Sequence, residues 1–161
     1  MEPAPAIRPA GPADADALFE AVAALTADLG LGAEFRATRA DLAAQLSAEA
    51  PLFQALLAGG PETVAGAVVF FPEYSTLMGR PGLYVQDLWV APSHRGTGLG
   101  RRLLAAAARR ASAWGAAYLK LSVHGANAGA ARFYDRLGLA PMEGERTWKL
   151  EGAPWAALLE A

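Results

Sequence analysis

The sequence predicts a single domain of the α/β or α+β type, built on a mixed sheet. Strand patterns separated by turn signals occupy the early part, and the later part reads strand, glycine-rich turn, helix, strand, helix, strand. A chain of 161 residues is long enough to bury one sizeable core and suits one domain over residues 1–161. Neither repeats nor low-complexity stretches indicate a second domain.

The N-terminal half predicts two helices and a hairpin. Pro12 favours a helix start, with Asp14 and Asp16 in the first turn where the helix dipole favours acids. Thr38 is a good N-cap for the second helix, and "GGPE" is a turn between two apolar runs. The predicted elements are, in order, strand 6–10, helix 12–29, helix 39–49, strands 52–58 and 63–71, and a loop over 72–82.

The C-terminal half predicts alternating strands and helices. Leu99, Leu103, Leu104 and several alanines give the first of these helices a buried side that packs closely on a sheet. Gly138 ends the second helix at a position where glycine favours termination. The predicted elements are strand 83–90, helix 99–114, strand 117–123, helix 127–138, strand 142–151 and a tail helix over 154–161.

Composition excludes several classes of protein. The net charge of −2 argues weakly against a nucleic-acid partner, and no apolar run approaches the ~20 residues of a membrane span. The N-terminus lacks the pattern of a signal peptide. The absence of cysteine excludes disulfides and thiolate chemistry, and two isolated histidines argue against a metal cluster. We expect a cytoplasmic protein with no metal and no membrane or nucleic-acid partner.

Charge is distributed unevenly along the chain. Residues 88–134 contain no aspartate or glutamate but carry seven positive charges. All sixteen acids of the chain lie outside this block. This part of the chain therefore suits an anionic ligand.

The stretch "RGTGLGRRLL", residues 95–104, follows a predicted strand and opens a predicted helix. Backbone N–H groups at such a helix start bind anions, and Gly96, Gly98 and Gly100 let the backbone approach closely. A nucleotide-binding P-loop would need a lysine here, and a dinucleotide site would need G-x-G-x-x-G, so both are excluded. The remaining alternative to an anion site is a tight connection without a ligand.

Two segments carry a family resemblance. "VAPSHRGTGLGRRLL" resembles the acyl-CoA-binding motif of the GNAT superfamily of N-acetyltransferases, and "NAGAARFYDRLGL" resembles the second half of that site. "YVQDLWVAPSHRGTGLG" and the ending "TWKLEGAPWAALLEA" further resemble the spermidine/spermine and thialysine N-acetyltransferase branch. The likeness covers nearly the whole chain.

The resemblance implies a GNAT fold, in which the mixed sheet splays between strands 83–90 and 117–123 and acetyl-CoA lies in the split. Tyr134 stands where the family places a general acid that protonates the leaving thiolate. The residues implied to contact acetyl-CoA are Leu88, Trp89, Val90, Arg95, Gly96, Thr97, Gly98, Leu99, Gly100, Arg101, Asn127, Ala130 and Tyr134.

Gln86 departs from the branch, in which a glutamate at this place is thought to relay a proton from the amine. Glutamine cannot take a proton, which leaves four alternatives. Gln86 holds a water in the site, or a bulge brings Asp87 into the site. Otherwise the amine substrate has a lower pKa, or Gln86 has only a packing role. Asp87 and Glu143 are candidate partners of a cationic substrate. The "YSTL" of residues 74–77 lacks the aromatic and acidic residues of the branch.

These observations predict an acetyl-CoA-dependent N-acetyltransferase that acts on a primary amine of a small molecule by direct attack in a ternary complex. Polyamines, diamines and amino-acid-like compounds are the candidate acceptors. The alternatives are a protein or peptide amine as acceptor, and a GNAT domain that binds acyl-CoA without turnover. The branch forms homodimers, and the apolar tail "APWAALLEA" is too short to bury itself, so a homodimer is expected.

Overall fold

The computed structural model describes residues 4–60 and 62–161, and its centre is a five-stranded mixed sheet. The strands lie side by side in chain order, antiparallel except for the parallel pair β4 and β5. They are β1 Ile7–Pro9, β2 Gln54–Gly59, β3 Val64–Ser75, β4 Arg80–Val90 and β5 Leu119–Leu121. The helices are α1 Ala15–Asp28, α2 Arg39–Ser47, α3 Leu99–Ala111, α4 Ala128–Arg136 and α5 Ala153–Leu159. The predicted mixed-sheet fold class is confirmed.

Contacts divide the chain into two units. The first runs up to Ala128 and holds the whole sheet with α1, α2 and α3, and the second runs from Gly129 to Ala161 and holds α5 and almost all of α4. The single domain expected from the sequence stays a prediction.

The helices of the first unit cover both faces of the sheet. Leu18 and Ala21 of α1 are buried against Leu57, Ala67 and Val69, and α2 adds partly buried leucines to this cluster. On the other face, α3 buries the leucines and alanines that its sequence predicts, Leu99, Leu103, Leu104, Ala107 and Ala111. Burial of these two apolar layers is the main force that holds the unit together.

Gly66 of β3 sets how closely α3 packs on the sheet. A Cβ added at this glycine would lie 2.9 Å from Cδ1 of Leu103 and 2.9 Å from the carbonyl oxygen of Trp89. A larger residue at position 66 would therefore force the Leu103 side chain or the Trp89 carbonyl oxygen to shift.

The starts of α1 and α2 lie close to the residues that the sequence predicts. The Thr38 hydroxyl accepts a hydrogen bond from the Asp41 N–H at 3.1 Å, and the Asp41 carboxylate accepts one from the Thr38 N–H at 2.8 Å. This reciprocal capping box fixes the start of α2. Pro12–Asp14 forms one turn of 3₁₀-helix before α1, and there Asp14 is buried in an ion pair with Arg8 at 2.6 Å.

Two predicted elements were wrong. The predicted loop 72–82 is mostly strand, because β3 and β4 stay paired as far as Ser75 and Arg80 and only residues 76–79 turn. The predicted strand 142–151 forms neither helix nor strand. Its apolar residues Trp148 and Leu150 are 89% and 49% exposed, so the alternating pattern has no sheet face to pack on.

Candidate active site

The glycine loop forms an open, helix-terminal cradle. Gly96 and Gly98 have φ angles of 76° and 84°, which favour glycine, and Gly98 is the N-cap of α3. No side chain caps this helix start, and a Cβ built on Gly96 or Gly98 meets no atom within 4 Å. The first N–H groups of α3 therefore face space that can receive an anion.

The arginines around the cradle have different roles. Arg95 donates from Nη2 to Asp28 Oδ2 at 2.6 Å and from Nε to the Val90 carbonyl oxygen at 2.9 Å. Its guanidinium thus ties the loop to the ends of α1 and β4. Arg102 donates to the Pro5 carbonyl oxygen at 2.9 Å, whereas Arg101 lies exposed in the first turn of α3.

Other predicted cradle residues are engaged through local contacts. The Thr97 hydroxyl donates to the His94 carbonyl oxygen at 2.6 Å, which helps to shape the loop. Leu99 is only 1% exposed, so its backbone, not its side chain, is the part that lies at the cradle. Gly100 follows it in the first turn of α3, with its N–H at the same helix end.

The sheet opens beside the cradle. β5 pairs with β4 only from Leu83 to Val85, and within the described residues 86–90 have no partner on that side. Leu88, Trp89 and Val90 therefore lie along an open edge of β4 that leads to the loop. This is the splay that the resemblance implies, and an extended ligand can add there as a strand would.

A bulge in β4 decides where Asp87 lies. Phe70 pairs with Val85 and Val69 pairs with Asp87, so Gln86 is an extra residue without a partner in β3. Side chains alternate along a strand, so Gln86 points to the face opposite Val85, and Asp87 points to the face opposite Leu88. Because Val85 and Leu88 share one face, the bulge places Gln86 and Asp87 together on the other face. Val69, the partner of Asp87, packs in the cluster with α1, which identifies this face.

Asp87 has the properties of a proton acceptor. Its side chain is half-buried, and burial raises the pKa of the carboxyl to about 6. A carboxyl with this pKa is largely ionised at neutral pH and close enough to neutrality to exchange protons. Gln86 beside it is exposed, and its amide can donate and accept hydrogen bonds but cannot take a proton.

The remaining predicted residues are Asn127, near the end of the first unit, and Ala130, Tyr134 and Glu143 in the second unit. Ala130 and Tyr134 lie on α4, and burial raises the pKa of the Tyr134 phenol, which therefore keeps its proton at neutral pH. Asn127 directly precedes α4, and its N–H donates to the His124 carbonyl oxygen at 2.8 Å. Glu143 is exposed in the segment without regular structure.

The first unit thus brings the cradle, the open edge of β4, Gln86 and Asp87 together. Sequence reasoning missed Asp28, the partner of Arg95, and an aromatic pair formed by Phe71 and Tyr84. An acid at the last position of a helix is a signal that could have drawn attention to Asp28, since the helix dipole disfavours it there.

Comparison with known proteins decides the family. A family model described as the acetyltransferase (GNAT) family matches residues 20–139. The chain belongs to this family. The matched region includes β2 to β5 and α2 to α4, so the GNAT match covers the cradle and the bulge.

Curated GNAT relatives act on small amines according to their names. L-ornithine N5-acetyltransferase of Arabidopsis thaliana is 33% identical over 89 residues, which are 55% of this chain and 39% of that protein. Thialysine N-epsilon-acetyltransferase of Bos taurus is 32% identical over 115 residues, 65% of this chain and 67% of that protein. The chain therefore spans about two fifths of the plant relative and two thirds of the bovine one.

Solved structures share the fold of this GNAT chain. An integron cassette protein from the mobile metagenome of V. cholerae has a TM-score of 0.77 at 21% identity and covers 97% of this chain and 98% of its own. An aminoglycoside acetyltransferase from an uncultured soil sample, solved with sisomicin, has a TM-score of 0.73 at 14% identity and covers 91% and 96%. At these identities the likeness concerns the fold.

The part of the chain that the structure describes has neither a membrane-spanning helix nor a cluster of potential metal ligands. No helix in this part is long and apolar enough to cross a membrane. This part also contains no group of three or more His, Asp or Glu side chains that could hold a metal ion.

Proposed function

We propose that this chain is an acetyl-CoA-dependent N-acetyltransferase whose acceptor is a primary amine of a small molecule. The observation that carries the proposal is the bulge at Gln86, which places the raised-pKa carboxyl of Asp87 beside the open edge of β4. Family membership and the names of the ornithine and thialysine relatives support it.

The cradle suits the pyrophosphate of acetyl-CoA. Gly96 and Gly98 leave open space in front of uncapped N–H groups, and Arg101 adds a positive charge nearby. The backbone groups of Leu88 and Val90 along the open edge would hold the pantetheine arm as a neighbouring strand does. When bound, acetyl-CoA supplies the acetyl group as a thioester.

Asp87 is assigned the role of general base. An alkyl amine with a pKa near 10.4 is only about one part in a thousand neutral at pH 7.4, and only the neutral form is nucleophilic. The ionised Asp87 carboxylate accepts one proton from the bound ammonium group, and the neutral amine then attacks the acetyl carbon. The second proton that the nitrogen loses balances the one that the leaving sulfur gains. Gln86 orients the amine or a bridging water with its amide.

Tyr134 is assigned the role of general acid. The sulfur that leaves the acetyl carbon needs a proton, and the phenol of Tyr134 is held in its protonated form by burial. Asn127 and Ala130 are assigned contacts with acetyl-CoA, and Glu143 a contact with the cationic acceptor. Because the chain has no cysteine, a thiol acyl-enzyme is excluded, which supports direct transfer in a ternary complex.

The test is a thiol-release assay with acetyl-CoA and a panel of amines, including ornithine, thialysine, diamines and a peptide with a free N-terminus. We expect release with small amines and its loss in Asp87→Asn. Thiol release with the peptide and with none of the small amines would show that the acceptor is a peptide amine, which contradicts the proposal. Binding of acetyl-CoA by calorimetry without release on any amine would make the chain a non-catalytic acyl-CoA-binding domain.

A further inference from the structure

An aromatic pair lies on the same sheet face as Asp87, on the far side of the bulge. Phe71 of β3 and Tyr84 of β4 are register partners, and their rings stack with centroids 5.1 Å apart at an angle of 20°. The Tyr84 hydroxyl is 2.9 Å from the Ser122 hydroxyl, a hydrogen bond that fixes the ring. Both rings are partly exposed and form an apolar patch next to the proposed reaction site.

A carboxylate lies at the far end of this surface. Glu73 is two residues beyond Phe71 and therefore points to the same face, and its register partner is Gly82. The Tyr118 ring rests on Gly82, since a Cβ there would lie 2.2 Å from Cζ of that ring. Partial burial and the neighbouring Glu73 carboxylate raise the pKa of the Tyr118 phenol, which agrees with their proximity.

We call Phe71, Tyr84, Glu73 and Tyr118 the acceptor strip. Asp87 and Glu73 are separated by four pairing steps along β3, which correspond to roughly 13 Å between their backbones. Lys120 is the register partner of Tyr84 on the β5 side, so a positive charge flanks the strip there. The Glu73 carboxylate attracts a second cation on a bound molecule towards the β3 side.

We propose that the acceptor strip binds the part of the amine substrate that does not react, and that Glu73 selects acceptors with a second positive charge at a fixed distance. The aromatic faces accommodate an alkyl chain, and a carboxylate at the end attracts the distal ammonium group. The inference rests on the proposed function, because it takes Asp87 as the place of the reacting amine.

The experiment compares straight-chain diamines, from diaminopropane to diaminodecane, with monoamines of the same lengths. For the wild type we expect KM for diamines to fall as the chain approaches the length of the strip, by about fivefold relative to the matched monoamine. Glu73→Gln removes this advantage, so that a diamine and its matched monoamine then have similar KM values. Glu49→Gln, an exposed acid outside the strip, is the matched control and keeps the advantage.

A direct binding measurement tests the acceptor strip separately from the acetyltransferase activity. Calorimetric titration of diaminodecane into the wild type and into Glu73→Gln, each in the presence of CoA, measures the affinity for the diamine without turnover. Weaker binding to the variant supports the strip even where no amine is acetylated, and in that case the proposed function alone has failed. Equal binding and an unchanged diamine preference in Glu73→Gln would overturn the acceptor strip while leaving the acetyltransferase proposal standing.

Discussion

Asp28 Oδ2 lies 2.6 Å from Arg95 Nη2 and joins the last residue of α1 to the first residue of the glycine loop, 67 positions away. A carboxylate at this end of a helix is disfavoured by the helix dipole, and Arg95 offsets that cost. The same guanidinium holds the Val90 carbonyl oxygen, so one side chain connects α1, β4 and the cradle.

The first prediction follows from this pair. Asp28→Ala and Arg95→Ala should each weaken acetyl-CoA binding, because each frees the loop from α1. Both side chains are about half exposed, at 45% and 51%, so their coupling is expected to be modest, up to about 1 kcal/mol. A double-mutant cycle on the dissociation constant measures it. Strictly additive effects would show that the pair does not hold the loop.

The second prediction concerns Gly98. Gly98→Asp places a negative charge in the open space before the uncapped N–H groups, and acetyl-CoA should bind at least about tenfold more weakly, or 1.4 kcal/mol. The φ of 84° makes any side chain here strained, so a modest fall in Tm is expected as well. Gly98→Asn is the matched control, since it has the same shape and strain without the charge. Equal affinities of the two variants would remove the phosphate assignment.

The third prediction concerns the pH dependence of Asp87. With its pKa raised to about 6, kcat/KM should rise through pH 6 as the carboxyl ionises, and Asp87→Asn should lose that limb and roughly 10²–10⁴ in kcat. A pH–rate series on both proteins measures this. A wild-type profile without an ionisation near pH 6, or an Asp87→Asn variant with nearly full activity, would show that another group is the general base.

Stability gives an independent readout of the same group. A carboxyl whose pKa is raised in the folded state binds more protons when folded, so the free energy of unfolding falls as pH rises from about 4 to 6. Asp87→Asn should therefore have a higher Tm than the wild type at about pH 8 and a similar Tm at about pH 4. Parallel Tm profiles would mean that Asp87 is not desolvated.

The fourth prediction concerns Tyr134. Tyr134→Phe should lower kcat by roughly 10²–10⁴ if the phenol gives its proton to the leaving sulfur, while acetyl-CoA affinity and Tm stay close to the wild type. Tyr74→Phe serves as control, since this tyrosine is 63% exposed and lies outside the proposed site. Near-normal turnover of Tyr134→Phe would reduce Tyr134 to a packing role beside Phe133, whose ring centroid is 5.1 Å away.

The fifth prediction concerns assembly. Trp148, Trp155, Leu158 and Leu159 are 89%, 51%, 59% and 69% exposed, and a second copy of the chain would bury such apolar side chains. We expect a homodimer by light scattering at micromolar concentration. Trp148→Ser together with Trp155→Ser should shift it to monomer without loss of the fold by circular dichroism. A monomeric wild type would refute the expectation.

Elements governed by local signals were predictable from the sequence. The Thr38 capping box, the buried side of α3 and the glycine loop all depend on residues within one or two turns of each other. The hairpin extension at Glu73 and Tyr74 was missed, because pairing with β4 rather than local propensity makes these residues strand. The strand expected at 142–151 failed for the converse reason, since alternation needs a partner face.

The candidate site was predictable in its residues but not in its geometry. Sequence motifs indicated the cradle and drew attention to Gln86 and Asp87, while the register that decides which face Asp87 occupies is a property of the pairing with β3. The Asp28 to Arg95 pair and the acceptor strip depend on contacts between distant segments, which neither spacing nor composition encodes.

Gly66 has a consequence for attempts to alter cofactor preference. Its missing methyl group lets Leu103 and Leu99 of α3 lie close against β3, and the N-terminus of α3 is the floor of the cradle. Gly66→Ala would force Leu103 of α3 or the Trp89 carbonyl oxygen of β4 to shift, because a Cβ atom would lie only 2.9 Å from each. Mutagenesis libraries that vary only the loop would thus overlook a buried position, one layer below, that contacts the helix behind the cradle.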